Sequence, residues 1–143
     1  SVFLGILTTL ANSKEYDILN ASGVGLKLRE SDHGRIRKIY DYVEKNYQDK
    51  LSLEEAVRLA NMTKPAFCRH FKRVTGHTFM AFVNKYRIAQ ASRLLSNTGL
   101  SISEICFHCG FINLSTFNKQ FKAITGKTPL RYRKYYLQEI HGK

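Results

Sequence analysis

Apolar positions recur at helical spacing along most of this chain. Ile36, Ile39, Tyr40, Val43 and Tyr47 mark one amphipathic helix. Leu53, Ala56, Leu59 and Ala60 mark a second, and Phe67, Phe71 and Val74, at i, i+4 and i+7, mark a third. A longer helix, about residues 79–95, is striped by Phe82, Tyr86, Ala89 and Leu94. The pattern then starts again with Ile102, Ile105, Cys106 and Cys109, followed by Phe117, Phe121 and Ile124. The predicted fold class is therefore all-α.

Punctuation agrees with this periodicity. Ser52 with Glu55, and Ser101 with Glu104, have the spacing of a capping box, in which side chain and backbone satisfy each other at a helix start. The short helices they open, about 53–60 and 102–109, stop at Asn61 and Gly110, residue types that accept a left-handed cap. Second helices follow at about 64–75 and 115–125, closed by Gly76 and Gly126. Thr78 and Thr128 then cap the next helix, with Pro129 suited to its first turn.

The repetition is literal. Leu51-Ser52-Leu53-Glu54-Glu55 returns as Leu100-Ser101-Ile102-Ser103-Glu104, and the twelve residues from Phe67 to Thr78 return from Phe117 to Thr128. Nine positions are identical, and one residue is inserted in the second copy near Ile112 or Asn113, where a turn is expected. A duplicated helix–turn–helix is the expectation: two homeodomain-like three-helix units joined by a long central helix. The first subdomain is assigned to residues 35–77, the linking helix to 78–97 and the second subdomain to 98–143. At 1.5 Å per residue the linking helix spans about 25 Å, a length that can hold two recognition helices about one DNA turn apart.

Charge points to the partner. The net charge is +12. Eight Lys or Arg side chains and no acid lie between Ala56 and Ser103, and six with no acid between Ile105 and Gln138. Solvated surfaces usually mix signs, so two acid-free basic blocks imply a polyanion. No apolar run approaches the ~20 residues that span a bilayer. Three cysteines in a chain of ordinary size suggest reduced thiols in a cytoplasm.

Residues 1–34 differ in kind. Phe3, Leu4, Ile6, Leu7, Leu10 and Ala11 are spaced for an amphipathic helix, and Asn20 to Gly34 reads as a linker. The expectation is the tail of an upstream effector or dimerisation domain, the alternative an accessory helix on the module.

The residues from about Arg35 to Tyr136 resemble the AraC/XylS family of transcription regulators. The resemblance rests on Ile102 to Cys106, Cys109-Gly110-Phe111, Ser115-Thr116-Phe117, Phe121-Lys122, Gly126, Thr128-Pro129 and Tyr132-Arg133, with the half-copy upstream. Cys106 stands where the family usually has Ala. The resemblance implies double-stranded DNA as partner, with each unit's second helix in one of two successive major grooves. It also implies RNA polymerase as a further partner, and a small-molecule effector bound by an upstream domain. No cofactor and no catalytic site are expected. Residues 1–143 alone are expected to be monomeric, the whole protein dimeric.

A helix that packs through Phe67, Phe71 and Val74 presents Pro65, Cys68, Arg69 and Lys72 outward. Arg69 is the leading base reader, because a guanidinium donates two hydrogen bonds to guanine. Lys64 reaches a base or a phosphate, and Pro65 and Cys68 offer apolar contact. In the second unit the matching stripe is Ser115, Asn118, Lys119 and Lys122, flanked by Leu114 and Thr116. Asn118 suits adenine, and Lys119 guanine or phosphate. Lys72, Arg73, Lys122, Lys127 and Arg131 are assigned to phosphates, with the helix starts at Ser52, Thr78, Ser101 and Thr128.

Two other classes compete. RNA or nonspecific binding is disfavoured by the groove-matched duplication. Thiol chemistry at Cys68, beside Arg69 and Lys72, is the other alternative. Cys106 and Cys109 lie on an inward helical face and read as small core residues, since no second ligand pair accompanies them.

Overall fold

The computed structural model describes residues 30–141, all of whose regular elements are α-helices. They are α1 (Glu30–Asn46), α2 (Leu53–Leu59), α3 (Lys64–Thr75), α4 (Phe79–Asn97), α5 (Ile102–His108), α6 (Leu114–Thr125) and α7 (Pro129–His141). The helix expected from Phe3 to Ala11 lies outside the described residues. Residues 30–34, expected as the end of a linker, are instead the first turns of α1.

The chain divides into two compact units. One holds α1, α2, α3 and α4 as far as Val83; the other holds Tyr47–Asp49 and the chain from Asn84 onward. In the first, Phe71 packs its ring against Phe67, Phe79 and Phe82 at centroid distances of 5.5, 5.7 and 5.4 Å. Ile36, Ile39, Val43, Ala56 and Val74 complete a buried core. In the second, Phe121 meets Phe117 at 5.7 Å and Tyr132 at 5.2 Å. Ile88, Ala91, Leu95, Ile105, Cys106, Cys109 and Phe111 are buried around them. Each buried aromatic of this kind is worth roughly 1.5–3 kcal/mol over exposure, so the repeated Phe pair is a large part of what holds each unit together.

The linking helix departs from the expected single stripe. Phe79, Val83, Ile88, Ala91 and Leu95 are buried besides Phe82, Tyr86 and Ala89, whereas Leu94 is only half-buried. Its first turn serves one core and its remainder the other. Two cores ask for two stripes, and a single period cannot describe them.

Helix ends follow the sequence closely. Gly76 and Gly126 adopt φ of 78° and 82°, and their N–H groups donate to the carbonyls of Lys72 and Lys122, both at 2.8 Å. Asn61 and Gly110 also take positive φ. Thr78 Oγ1 and Thr128 Oγ1 accept from the N–H of Ala81 and Arg131. The caps of the two second helices, Thr63 and Asn113, were not anticipated; they accept from Ala66 and Thr116. The Ser101–Glu104 capping box is complete. The Ser52–Glu55 box is half made: Glu55 N–H donates to Ser52, but its carboxylate is taken by Arg58, and Ser52 N–H donates to the Tyr42 hydroxyl.

Tyr47, expected on the first helix stripe, lies just past α1 and meets the Tyr86 ring edge-on at 5.3 Å. Residues 47–49 form a strap in the second unit. Buried Arg87 donates through Nε to the Tyr47 carbonyl and through Nη2 to that of Asp49, both at 2.8 Å. A Cβ on Gly110, at φ 92°, would stand 2.1 Å from the Tyr47 oxygen. Only glycine lets the α5–α6 turn pass there.

Candidate nucleic-acid interface

The outward faces of α3 and α6 carry what the sequence assigned to them. α3 buries Phe67, His70, Phe71 and Val74, and α6 buries Phe117 and Phe121. What remains exposed on α3 is Lys64, Pro65, Cys68, Arg69, Lys72 and Arg73; on α6 it is Ser115, Thr116, Asn118, Lys119, Lys122 and Ala123. These are adjacent turns of one face in each case, so the fold brings each group together within its own unit.

Four of the assigned residues stand in settings that the sequence alone does not show. Leu114 is half-buried and packs on the second core, so it offers the surface little. Lys64 pairs with Glu54 at 3.5 Å, an exposed contact that a phosphate can displace at small cost. The helix starts at Ser52 and Ser101 do not suit an anion. Glu104 accepts from the Ser101 N–H at 2.7 Å, and those hydrogen bonds hold its carboxyl below the ordinary range. Glu54 and Glu55 occupy the first turn of α2, and α2 and α5 have seven residues each. A carboxylate already sits on the positive end of the helix dipole there. By contrast α3, α4, α6 and α7 have no acidic residue in their first turns. The helices that follow Thr78 and Thr128 are thus free of a competing carboxylate at their starts.

The basic blocks are less uniform than the sequence suggests. Arg87 is buried, and the loss of hydration on burial lowers its pKa. Arg133 donates to the Leu95 carbonyl at 3.2 Å and to that of Thr98 at 3.3 Å, closing the end of α4. Arg58 is committed to Glu55. Arg87 and Arg133 are structural, and Arg58 is paired on the surface. Lys127, over the Tyr135 ring at 4.9 Å, and Arg131 stay exposed. That leaves Arg69 and Lys72 on α3 and Lys119 and Lys122 on α6 without a carboxylate partner among the described residues.

Cys106 and Cys109 are fully buried, and burial pushes the Cys109 thiol up to about 12. They pack as core residues. Cys68 is exposed. No helix among the described residues is long and apolar enough to cross a membrane.

Residues 56–135 match the helix-turn-helix domain family. The transcriptional regulator YdeC of Bacillus subtilis is 28% identical over 100 residues, covering 70% of this chain and 34% of YdeC. The Transposon Tn10 TetD protein of Escherichia coli is 32% identical over 107 residues, 75% of this chain and 78% of TetD. The solved DNA-binding domain of AdpA, in complex with a target DNA, shares the fold with a TM-score of 0.67 at 24% identity. It covers 73% of this chain and 94% of that domain. Two units with a recognition-type helix each, and a family match across both, lead to one conclusion: the chain belongs to the AraC-type helix-turn-helix family of DNA-binding transcription regulators.

Proposed function

We propose that this chain reads a specific duplex sequence with α3 and α6, each in its own major groove, the two grooves being successive. The observation that carries the reading is the pair of matched outward faces, one around Arg69 and one around Asn118 and Lys119, both free of acidic side chains. Arg69, Asn118 and Lys119 read base edges, and Cys68, Pro65, Ser115 and Thr116 supply small contacts. Lys72, Arg73, Lys122, Lys127 and Arg131 neutralise phosphates, helped by the helix starts after Thr78 and Thr128. Selection of bound duplexes from a random pool tests this. The expected consensus has two half-elements about one helical turn (~10.5 bp) apart, and a single element would overturn the two-groove reading. Affinity should also fall with salt at a slope of about −0.9 per phosphate contact.

The fragment matched in YdeC is 34% of that regulator, which supports assigning effector binding and dimerisation to sequence beyond the two units. RNA polymerase, in the cytoplasm, is the proposed second partner of the whole protein. Residues 1–143 alone are then monomeric, and sedimentation showing a tight dimer would reverse that assignment.

A further inference from the structure

Beside the outward face of α3 the first unit holds a cleft of about 430 Å³, lined by Leu53, Cys68, Arg69, Lys72, Thr78, Phe79 and Met80. Its size falls within the range of small-molecule sites. Its wall is mainly apolar, and Met80, next to the buried Phe79, is 44% exposed. Two of the lining side chains are cations with no carboxylate partner among the described residues. An apolar floor with unpaired positive charge at its edge is complementary to an amphipathic anion. A neutral apolar ligand would leave the cations unused, and an inorganic anion would leave the floor wet.

We propose that this cleft binds an apolar monocarboxylate, its tail against Leu53, Phe79 and Met80 and its carboxylate on Arg69 and Lys72. Because the same two cations belong to the proposed DNA face, the bound acid and the duplex exclude each other. That second statement rests on the DNA-reading assignment, whereas binding of the acid does not.

Cys68 makes the cleft readable. It lines the cleft and is exposed, while the chain's other two cysteines are buried. The full chain is treated with neutral iodoacetamide, with and without decanoate kept below its aggregation concentration, and the Cys68 adduct is followed by mass. At ten times its dissociation constant decanoate should slow alkylation roughly ten-fold by occupancy. Decanol, with the same tail and no charge, should bind at least about ten-fold more weakly, and acetate should not protect. Met80→Glu, at an exposed position, should abolish protection while leaving circular dichroism unchanged. Arg69→Ala should reduce decanoate towards decanol. Absence of protection by decanoate, equal protection by decanol, or protection surviving in Met80→Glu overturns the site. Duplex titrated without decanoate tests DNA reading by itself. If duplex binds and added decanoate leaves its affinity unchanged while protecting Cys68, mutual exclusion is overturned and the site stands.

Discussion

The assignment of roles along α3 is open to a sharp test, because Arg69 and Lys72 are three residues apart on one exposed face. Neither has a carboxylate partner among the described residues that truncation would orphan. Changing either to Ala should therefore leave stability within about 0.5 kcal/mol, as for surface positions generally, and any larger effect must arise in the complex. A bidentate guanidinium–guanine pair discriminates by roughly 1–3 kcal/mol. Arg69→Ala should thus weaken the selected duplex by about 5- to 150-fold and scrambled DNA far less, with tolerance at one base position. Lys72→Ala should weaken both duplexes alike and reduce the salt slope by about 0.9, the signature of one lost phosphate contact. Lys119 and Lys122 in α6 should repeat the contrast with smaller amplitude, since an ammonium is less directional. The assay is fluorescence anisotropy of labelled selected and scrambled duplexes at two salt concentrations. Equal loss on both DNAs for Arg69→Ala would refute the placement of the reading face, because a base contact cannot be indifferent to sequence.

Three further outcomes follow from the packing. Gly126→Ala, with φ 82° and open space at the missing Cβ, should cost about 1 kcal/mol; Gly110→Ala should cost clearly more, because its Cβ meets the Tyr47 carbonyl, and urea unfolding of both variants compares them. Phe121→Ala, in a fully buried site between Phe117 and Tyr132, should lose about 3–5 kcal/mol in the same assay. The Cys109 thiol is raised from 9.0 to about 12, so the unfolded chain ionises first; this group's contribution is intact below pH 9 and is lost between 9 and 12. Thermal unfolding should show a drop in Tm over that window that is shallower in Cys109→Ala, and an identical profile would remove Cys109 from the cause.

Much of this fold was legible because duplication wrote it twice. The Phe67–Phe71 and Phe117–Phe121 pairs, the glycine stops at 76 and 126 and the threonine caps at 78 and 128 each recur at fixed spacing, and periodicity reads such local features well. What stayed hidden depends on tertiary neighbours. Nothing near Glu55 in sequence says that Arg58 will take its carboxylate and Tyr42 the Ser52 N–H. Leu114 and Arg133 look like surface residues by position, yet one packs on a core and the other closes a helix end nearly forty residues away in sequence. Which face of each second helix lies outside was easier to read than the charge count, because a helix that commits two Phe to the core has no freedom over which face is left outside. The cleft beside α3 had no signal at all, being built from three separate segments.

The strap at Tyr47–Asp49 also bears on how this protein can be cut. The two units are copies in sequence but are interleaved along the chain: three residues lying between the first two helices of one copy belong to the other. A fragment starting at Lys50 would keep α4 to α7 entire, yet Arg87 would remain with neither carbonyl that now accepts its hydrogen bonds. Gly110 would likewise face a void where the Tyr47 backbone now lies. The family match begins at residue 56, so a boundary taken from similarity alone would remove the strap and strand a buried charge. The duplicated gene segment is thus not the severable piece of protein: modularity in sequence and modularity in folding part company at three residues.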